Sequence, residues 1–159
     1  MCFLTSKKLY FTGSRTVDRE KKVECYNLET NDYDDVNDLN VGRCRHSSVG
    51  FNDRFVFVFG GFSNGVFLNS IERLDTHQPQ GVWNLIETPP QFLPCIESGA
   101  VQSKVNEIMV FGGFTANQNA ANHDNTISYA YKFTVDKTSG KFSDPLRKKM
   151  ETRRPILLS

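Results

Sequence analysis

Cys44 and His46 stand two positions apart in Gly42-Arg43-Cys44-Arg45-His46, a thiol and an imidazole close enough to begin a metal site. Zinc takes about four convergent ligands. The other two histidines, His77 and His123, fall on separate expected loops, so His46 reads as a structural hydrogen-bonder and no metal is expected. The acidic cluster Asp32, Asp34, Asp35 and Asp38 lacks the glycine and closing glutamate of a calcium loop and reads as an exposed turn. Gly60-Gly61-Phe62-Ser63-Asn64-Gly65 follows an expected strand but opens no helix, which a dinucleotide-binding turn requires. The basic run Arg147-Lys148-Lys149, with Arg153-Arg154 after it, has the charge to meet an acidic partner or RNA. No aromatic platform is interleaved with it, and a solvated connection is the expected role. No nucleophile-base motif emerges, so no catalytic residue and no cofactor is assigned.

These residues hang on a short set of strands. Arg54 to Gly61 reads Arg-Phe-Val-Phe-Val-Phe-Gly-Gly, and its apolar run without polar alternation implies a strand buried on both faces. The pattern returns as Ile108-Met109-Val110-Phe111-Gly112-Gly113, with the second glycines 52 positions apart, a period typical of stacked repeats. A weaker copy is Leu9-Tyr10-Phe11-Thr12-Gly13, where Thr12 takes the place of the first glycine and Gly13 that of the second.

Around each run the chain offers further strands. In the middle unit His46 to Phe51 forms one, Asn52-Asp53 a two-residue hairpin turn, Ser70 to Asp75 a half-buried third strand and Val82 to Leu85 a fourth. Pro89, Pro90 and Pro94 end that sheet. The last unit repeats the plan with Ser98 to Val101, Glu107 to Gly113 and Ile127 to Phe133, and Phe142 stands where Trp83 stood.

The 159 residues suffice for one domain. With 19 Lys+Arg against 18 Asp+Glu the net charge is +1, so no global field steers the chain to nucleic acid or a membrane. The cysteines Cys2, Cys25, Cys44 and Cys95 show no CxxC spacing and the chain has no Asn-x-Ser/Thr sequon, which points to free thiols in an intracellular, cytoplasmic setting. No signal peptide or run of about 18 apolar residues is present.

The apolar run with Gly60-Gly61, then Leu74-Asp75 and Trp83, and again Gly112-Gly113, Val135-Asp136 and Phe142, resembles the kelch-repeat family; the first unit keeps only Gly13, Leu28 and Tyr33. The resemblance implies an all-β fold of kelch-type β-propeller blades, each of four antiparallel strands. Blades are expected at about residues 1–38, 43–86 and 95–145, and 150–159 starts another with Ile156-Leu157-Leu158 as its first strand. Such an incomplete toroid leaves open faces at both ends, to be completed or abutted by protein partners.

The family implies work by protein recognition, which makes the chain a non-catalytic interaction or scaffolding module within a larger complex, with cytoskeletal association as one setting. The alternative is a fragment of a propeller enzyme, galactose-oxidase-like or sugar-processing, with its catalytic residues elsewhere; Tyr129 and Tyr131 have no histidine pair to complete a copper-radical ligand set. Loops between second and third strands project from one face of a kelch propeller. Here they run Ser14 to Lys22, Phe62 to Asn69 and Thr115 to Asn125. Phe62, Asn64, Asn117, Asn119 and His123 are the expected contact residues, joined by Arg43 and Arg45 from the connection into the second blade.

Overall fold

The computed structural model describes residues 2–4 by backbone alone, together with 7–16, 20–78, 81–116, 126–143 and 146–150. Three four-stranded antiparallel sheets follow one another along the chain. Sheet one holds β1 (Cys2–Leu4), β2 (Lys8–Thr12), β3 (Val23–Asn27) and β4 (Asp32–Asp34). Sheet two begins with β5 (Ser47–Phe51) and β6 (Phe55–Phe59), detours through a hairpin of β7 (Phe62–Ser63) and β8 (Val66–Phe67), and finishes with β9 (Ile71–Asp75) and β10 (Trp83–Ile86). Sheet three holds β11 (Gly99–Lys104), β12 (Glu107–Phe111), β13 (Tyr129–Thr134) and β14 (Leu146–Lys149). Each is a meander of propeller-blade type, and the set is open rather than closed into a ring. The further strand expected at Ile156 to Leu158 lies outside the described residues.

Strand β6 is buried at every position, as its sequence requires. The two faces differ in residue size rather than polarity. Phe55, Phe57 and Phe59 pack with Ile108, Val110, Tyr131 and Phe133 of sheet three, while Val56 and Val58 join Leu74 and Trp83 against Tyr10, Val23 and Cys25 of sheet one. Asn52 and Asp53, at φ 51° and 56°, close the β5–β6 hairpin in the left-handed conformation that such two-residue turns use.

Four expectations are corrected by this packing. The third strand of sheet two is buried on both faces: Glu72 lies on the face of Leu74 and Asp75 on that of Ile71, and both carboxylates are nearly inaccessible, because Glu72 meets Arg43 and Asp75 meets Arg54. In the first unit Gly13 is the counterpart of the first glycine. Its N–H donates to Lys22, the residue before β3, as Gly60 donates to Ser70 before β9, and its φ of 65° matches 61° at Gly60. Ser14 therefore holds the second position.

Phe142 is bridged to Val135 rather than placed on a fourth strand; it stacks on Phe57 at 5.1 Å and on Phe133 at 4.8 Å. It plugs the seam with sheet two as Trp83 plugs the seam with sheet one. The outer strand of sheet three is instead β14, past the expected blade limit at 145, pairing Leu146 with Lys132 and Arg147 with Tyr131. All four of its residues are exposed, so it carries no apolar pattern to announce it, and basic residues are a common cover for a sheet edge.

Candidate functional site

The loop face is organised by one repeated joint. Cys44, in the approach to sheet two, exchanges hydrogen bonds with Phe62: N–H to O at 3.0 Å, and back from the Phe62 N–H at 2.8 Å. The same exchange joins Ile96 to Phe114 in the next unit, at 2.9 Å each way. These joints clamp the segment after each glycine pair to the segment before the same sheet, which brings Arg45, Phe62 and Asn64 into one neighbourhood. Phe62 is half-buried and meets Phe67 edge-on at 5.7 Å. The turn residues Asn64 and Gly65, at φ 47° and 81°, put Asn64 and Val66 into solvent. Glu20 reaches over from sheet one to accept a hydrogen bond from the Ser63 hydroxyl at 3.3 Å.

Arg45 lies on the surface, with Nη2 2.5 Å from Glu97. The two residues occupy equivalent places in successive repeats: both are left-handed, at φ 55°, and the Glu97 N–H donates to the Arg45 carbonyl at 2.8 Å. Phe114, at Phe62's place one repeat later, is exposed. Sequence reasoning passed over it, although Gly112-Gly113-Phe114 repeats Gly60-Gly61-Phe62.

Arg43 is corrected from a contact residue to an internal one. Its side chain is wholly inaccessible and sits 2.7 Å from Glu72, itself inaccessible. The guanidinium also donates to the Gly60 carbonyl at 2.7 Å, the Ser70 carbonyl at 3.1 Å and the Ser70 hydroxyl at 3.0 Å. Glu72 takes further hydrogen bonds from the backbone N–H groups of Asn40 and Val41 and from the Asn40 side chain. Burial pushes the Arg43 pKa down and the Glu72 carboxylate pulls it back. A charge this enclosed has nothing left for a partner. Asn117, Asn119 and His123 lie outside the described residues.

His46 is the structural hydrogen-bonder expected of it. Nε2 is 2.7 Å from the Thr12 hydroxyl of sheet one, and burial, with Arg43 nearby, lowers its pKa to about 3. Ser47 and Ser98, in consecutive approaches, share a buried hydrogen bond of 3.0 Å. Cys25, Cys44 and Cys95 are free thiols, and burial pushes Cys95 up to about 11, the mark of an unreactive core thiol. Among the described residues no three His, Cys, Asp or Glu gather as metal ligands, and no helix is long and apolar enough to cross a membrane.

The basic run differs from its expected form. The guanidinium of Arg147 lies 3.7 Å from the centroid of the Tyr129 ring, so an aromatic partner does exist, supplied by the neighbouring strand. A groove of about 560 Å³ opens at the outer rim between sheets two and three, lined by residues such as Arg73, Ile86, Pro89, Lys141 and Phe142. It stands apart from the loop face.

A comparison with curated proteins finds no match to the chain. The family model of the Kelch motif matches residues 42–90, which span sheet two from the approach at Arg43 to the prolines that end it. Residues 42–90 thus carry a Kelch motif, and the four-stranded sheets on either side of it, of the same meander type, are consistent with further kelch-type blades.

Proposed function

We propose that the chain is a non-catalytic protein-interaction or scaffolding module, a subunit of a larger intracellular assembly. The β7–β8 hairpin carries this reading. A recognition loop gains affinity when it is ordered before it binds, and here the loop after the glycine pair is strand-paired, clamped to Cys44 and braced by Glu20, while Asn64 and Val66 stay exposed. Arg45, Phe62 and Phe114 extend the surface, and Asn117, Asn119 and His123 belong to the equivalent loop of the next repeat. The free buried thiols support the intracellular setting.

Capture of partners by the immobilised full chain tests the reading. Asn64→Asp with Val66→Glu, and separately Asn117, Asn119 and His123 all changed to alanine, should each weaken capture of the same protein by about tenfold or more with an unchanged melting temperature. Capture that survives both sets removes the loop face from the function. Stoichiometric copper or iron in the purified protein would replace the non-catalytic reading with that of a propeller enzyme.

A further inference from the structure

Two hairpins of the middle unit turn on a pair of left-handed residues, and they differ in what those residues touch. Asn52 and Asp53 sit at φ 51° and 56°, Asn64 and Gly65 at 47° and 81°. The Asn52 carboxamide is pinned on both sides: its nitrogen donates to the Val105 carbonyl at 2.8 Å, and its oxygen accepts from the Gln102 side chain at 2.7 Å. At the tip of β7 and β8 the ladder pairs Phe62 with Phe67 and Ser63 with Val66, which leaves the Asn64–Gly65 peptide outside it. The Asn64 carboxamide is exposed and has no hydrogen-bond partner among the described residues. Gly65 is exposed as well, and a Cβ built on it would meet no described residue within 4 Å, so this peptide is open to water.

From that contrast we infer that Asn64-Gly65 is a self-modifying site, at which the asparagine becomes an aspartyl or isoaspartyl residue with water as the only co-reactant. The left-handed pair is a type I′ turn. Rotating its central peptide gives type II′, with the first ψ at roughly −120° and the second φ at roughly −80°. Both types close a two-residue hairpin, so β7 and β8 stay paired through the rotation, and glycine takes up the change of φ without steric cost. At that ψ the Gly65 nitrogen eclipses the Asn64 Cβ and lies within reach of Cγ. The nitrogen gives its proton to a buffer base and bonds to Cγ, the Cγ–Nδ2 bond breaks, and Nδ2 leaves as ammonia with a proton from water. A water molecule then opens the five-membered ring at either carbonyl. One water is consumed, one ammonia is released, and nothing is oxidised or reduced.

The chemistry stands by itself, and its consequence rests on the reading of this hairpin as a recognition surface. The new carboxylate arrives beside Ser63, whose hydroxyl Glu20 braces at 3.3 Å, and like charges weaken that brace. The isoaspartyl form also lengthens the main chain of a turn whose length sets the register of β7 and β8. The tip of the loop face thus changes from neutral to anionic as the protein ages.

Peptide mapping of the full chain, kept folded in mildly alkaline buffer and sampled over time, tests the inference. The peptide carrying Asn64 should gain one mass unit, placed at Asn64 by its fragment ions, about tenfold or more faster than the peptide carrying Asn52. Asn64→Gln, which would have to close a less favourable six-membered ring, should show no gain at that position; Asn64→Gly, which holds the turn's φ freely, serves if glutamine distorts the hairpin. No gain at Asn64, or a gain at Asn52 that keeps pace with it, overturns the inference. Capture of the partner should fall in step with the modified fraction of the wild-type chain and stay constant over the same time for Asn64→Gln. Undiminished capture by a chain that mapping shows to be modified upholds the chemistry and removes the hairpin tip from the loop face instead.

Discussion

Strand β6 lends its two faces to two seams. Toward sheet three, Phe55, Phe57 and Phe59 enter a cluster with Phe92, Tyr131, Phe133 and Phe142, ring against ring at 4.8–6.3 Å. Toward sheet one, Val56 and Val58 leave a smaller apolar cluster, and polar groups fill in: the Arg43–Glu72 pair at the approach to sheet two, and His46 hydrogen-bonded across the seam to Thr12. The apolar burial that drives the aromatic seam is non-directional, and no single member of it is matched to one partner. A buried ion pair has value only while every member is present. The two seams should therefore fail differently.

The sharpest test removes one charge. Glu72→Ala leaves the Arg43 guanidinium inaccessible and without its anion, at a cost of about 3–5 kcal/mol. Arg43→Met together with Glu72→Leu should recover part of that loss, since no charge is then left buried alone, though the backbone groups of Asn40, Val41, Gly60 and Ser70 lose the hydrogen bonds this pair makes to them. Phe57→Ala on the other face should cost about 3–4 kcal/mol through lost contact and a residual cavity, and no second substitution of opposite charge will rescue it. Urea unfolding of the four proteins decides the point. If Glu72→Ala costs under about 1 kcal/mol, the network does not hold the first seam, whatever its geometry.

A matched pair of glycines then separates a seam from an open face. Gly60 and Gly112 hold φ of 61° and 66°, so alanine meets the same backbone strain at both, about 1 kcal/mol. At Gly60 the new methyl runs into the carbonyl and sulfur of Cys95, at 2.4 and 2.8 Å, whereas at Gly112 it meets none of the described residues within 4 Å. Gly60→Ala should cost about 2–3 kcal/mol in chemical denaturation and Gly112→Ala about 1. Equal costs would mean that the neighbouring approach moves freely, and that close contact there does not fix the spacing of the sheets.

How far the sequence disclosed all this depended on whether polarity tracked position. Phe55 to Phe59 was legible because a run with no polar member has no face to give to water. Ser70 to Asp75 misled because Glu72, Arg73 and Asp75 look like a solvated face, while the cations that take up Glu72 and Asp75 come from Arg43 and Arg54, 29 and 21 positions away. Arg43 misled for the same reason, a charge reading as surface until its partner is placed. Gly13 was misplaced by one position because a lone glycine does not say which half of a pair it is; the carbonyl of the next unit does. Strand β14 had no buried face, hence no signal. On the loop face Phe62 and Asn64 were legible from the Ser-Asn-Gly turn, whereas the pairing of β7 with β8 and the Cys44–Phe62 joint depend on backbone hydrogen bonds that side-chain identity does not encode.

The remaining prediction concerns acid. The ordinary histidine pKa is about 6.5, and His46 in the folded chain titrates at about 3, held down chiefly by burial. The unfolded chain therefore binds a proton at a pH where the folded one does not. The stabilisation is complete above pH 6.5 and is lost as pH falls from there toward 3, at about 1.4 kcal/mol per unit. Asp34, Asp75, Glu107 and Asp136 are also held below their usual values, by partners such as Lys8, Arg54, Lys132 and Ser139, and their contribution is lost in the same direction. It begins only as the pH approaches the ordinary carboxylate range near 4, so the interval from 6.5 down to about 5 isolates the imidazole. His46→Gln keeps a polar group near the Thr12 hydroxyl and has nothing to titrate. Stability followed by urea midpoint over that interval should fall for the wild-type chain and stay level for His46→Gln. A parallel slope in both would place the acid sensitivity outside the first seam and leave His46 as packing alone, making the two seams alike in their response to pH.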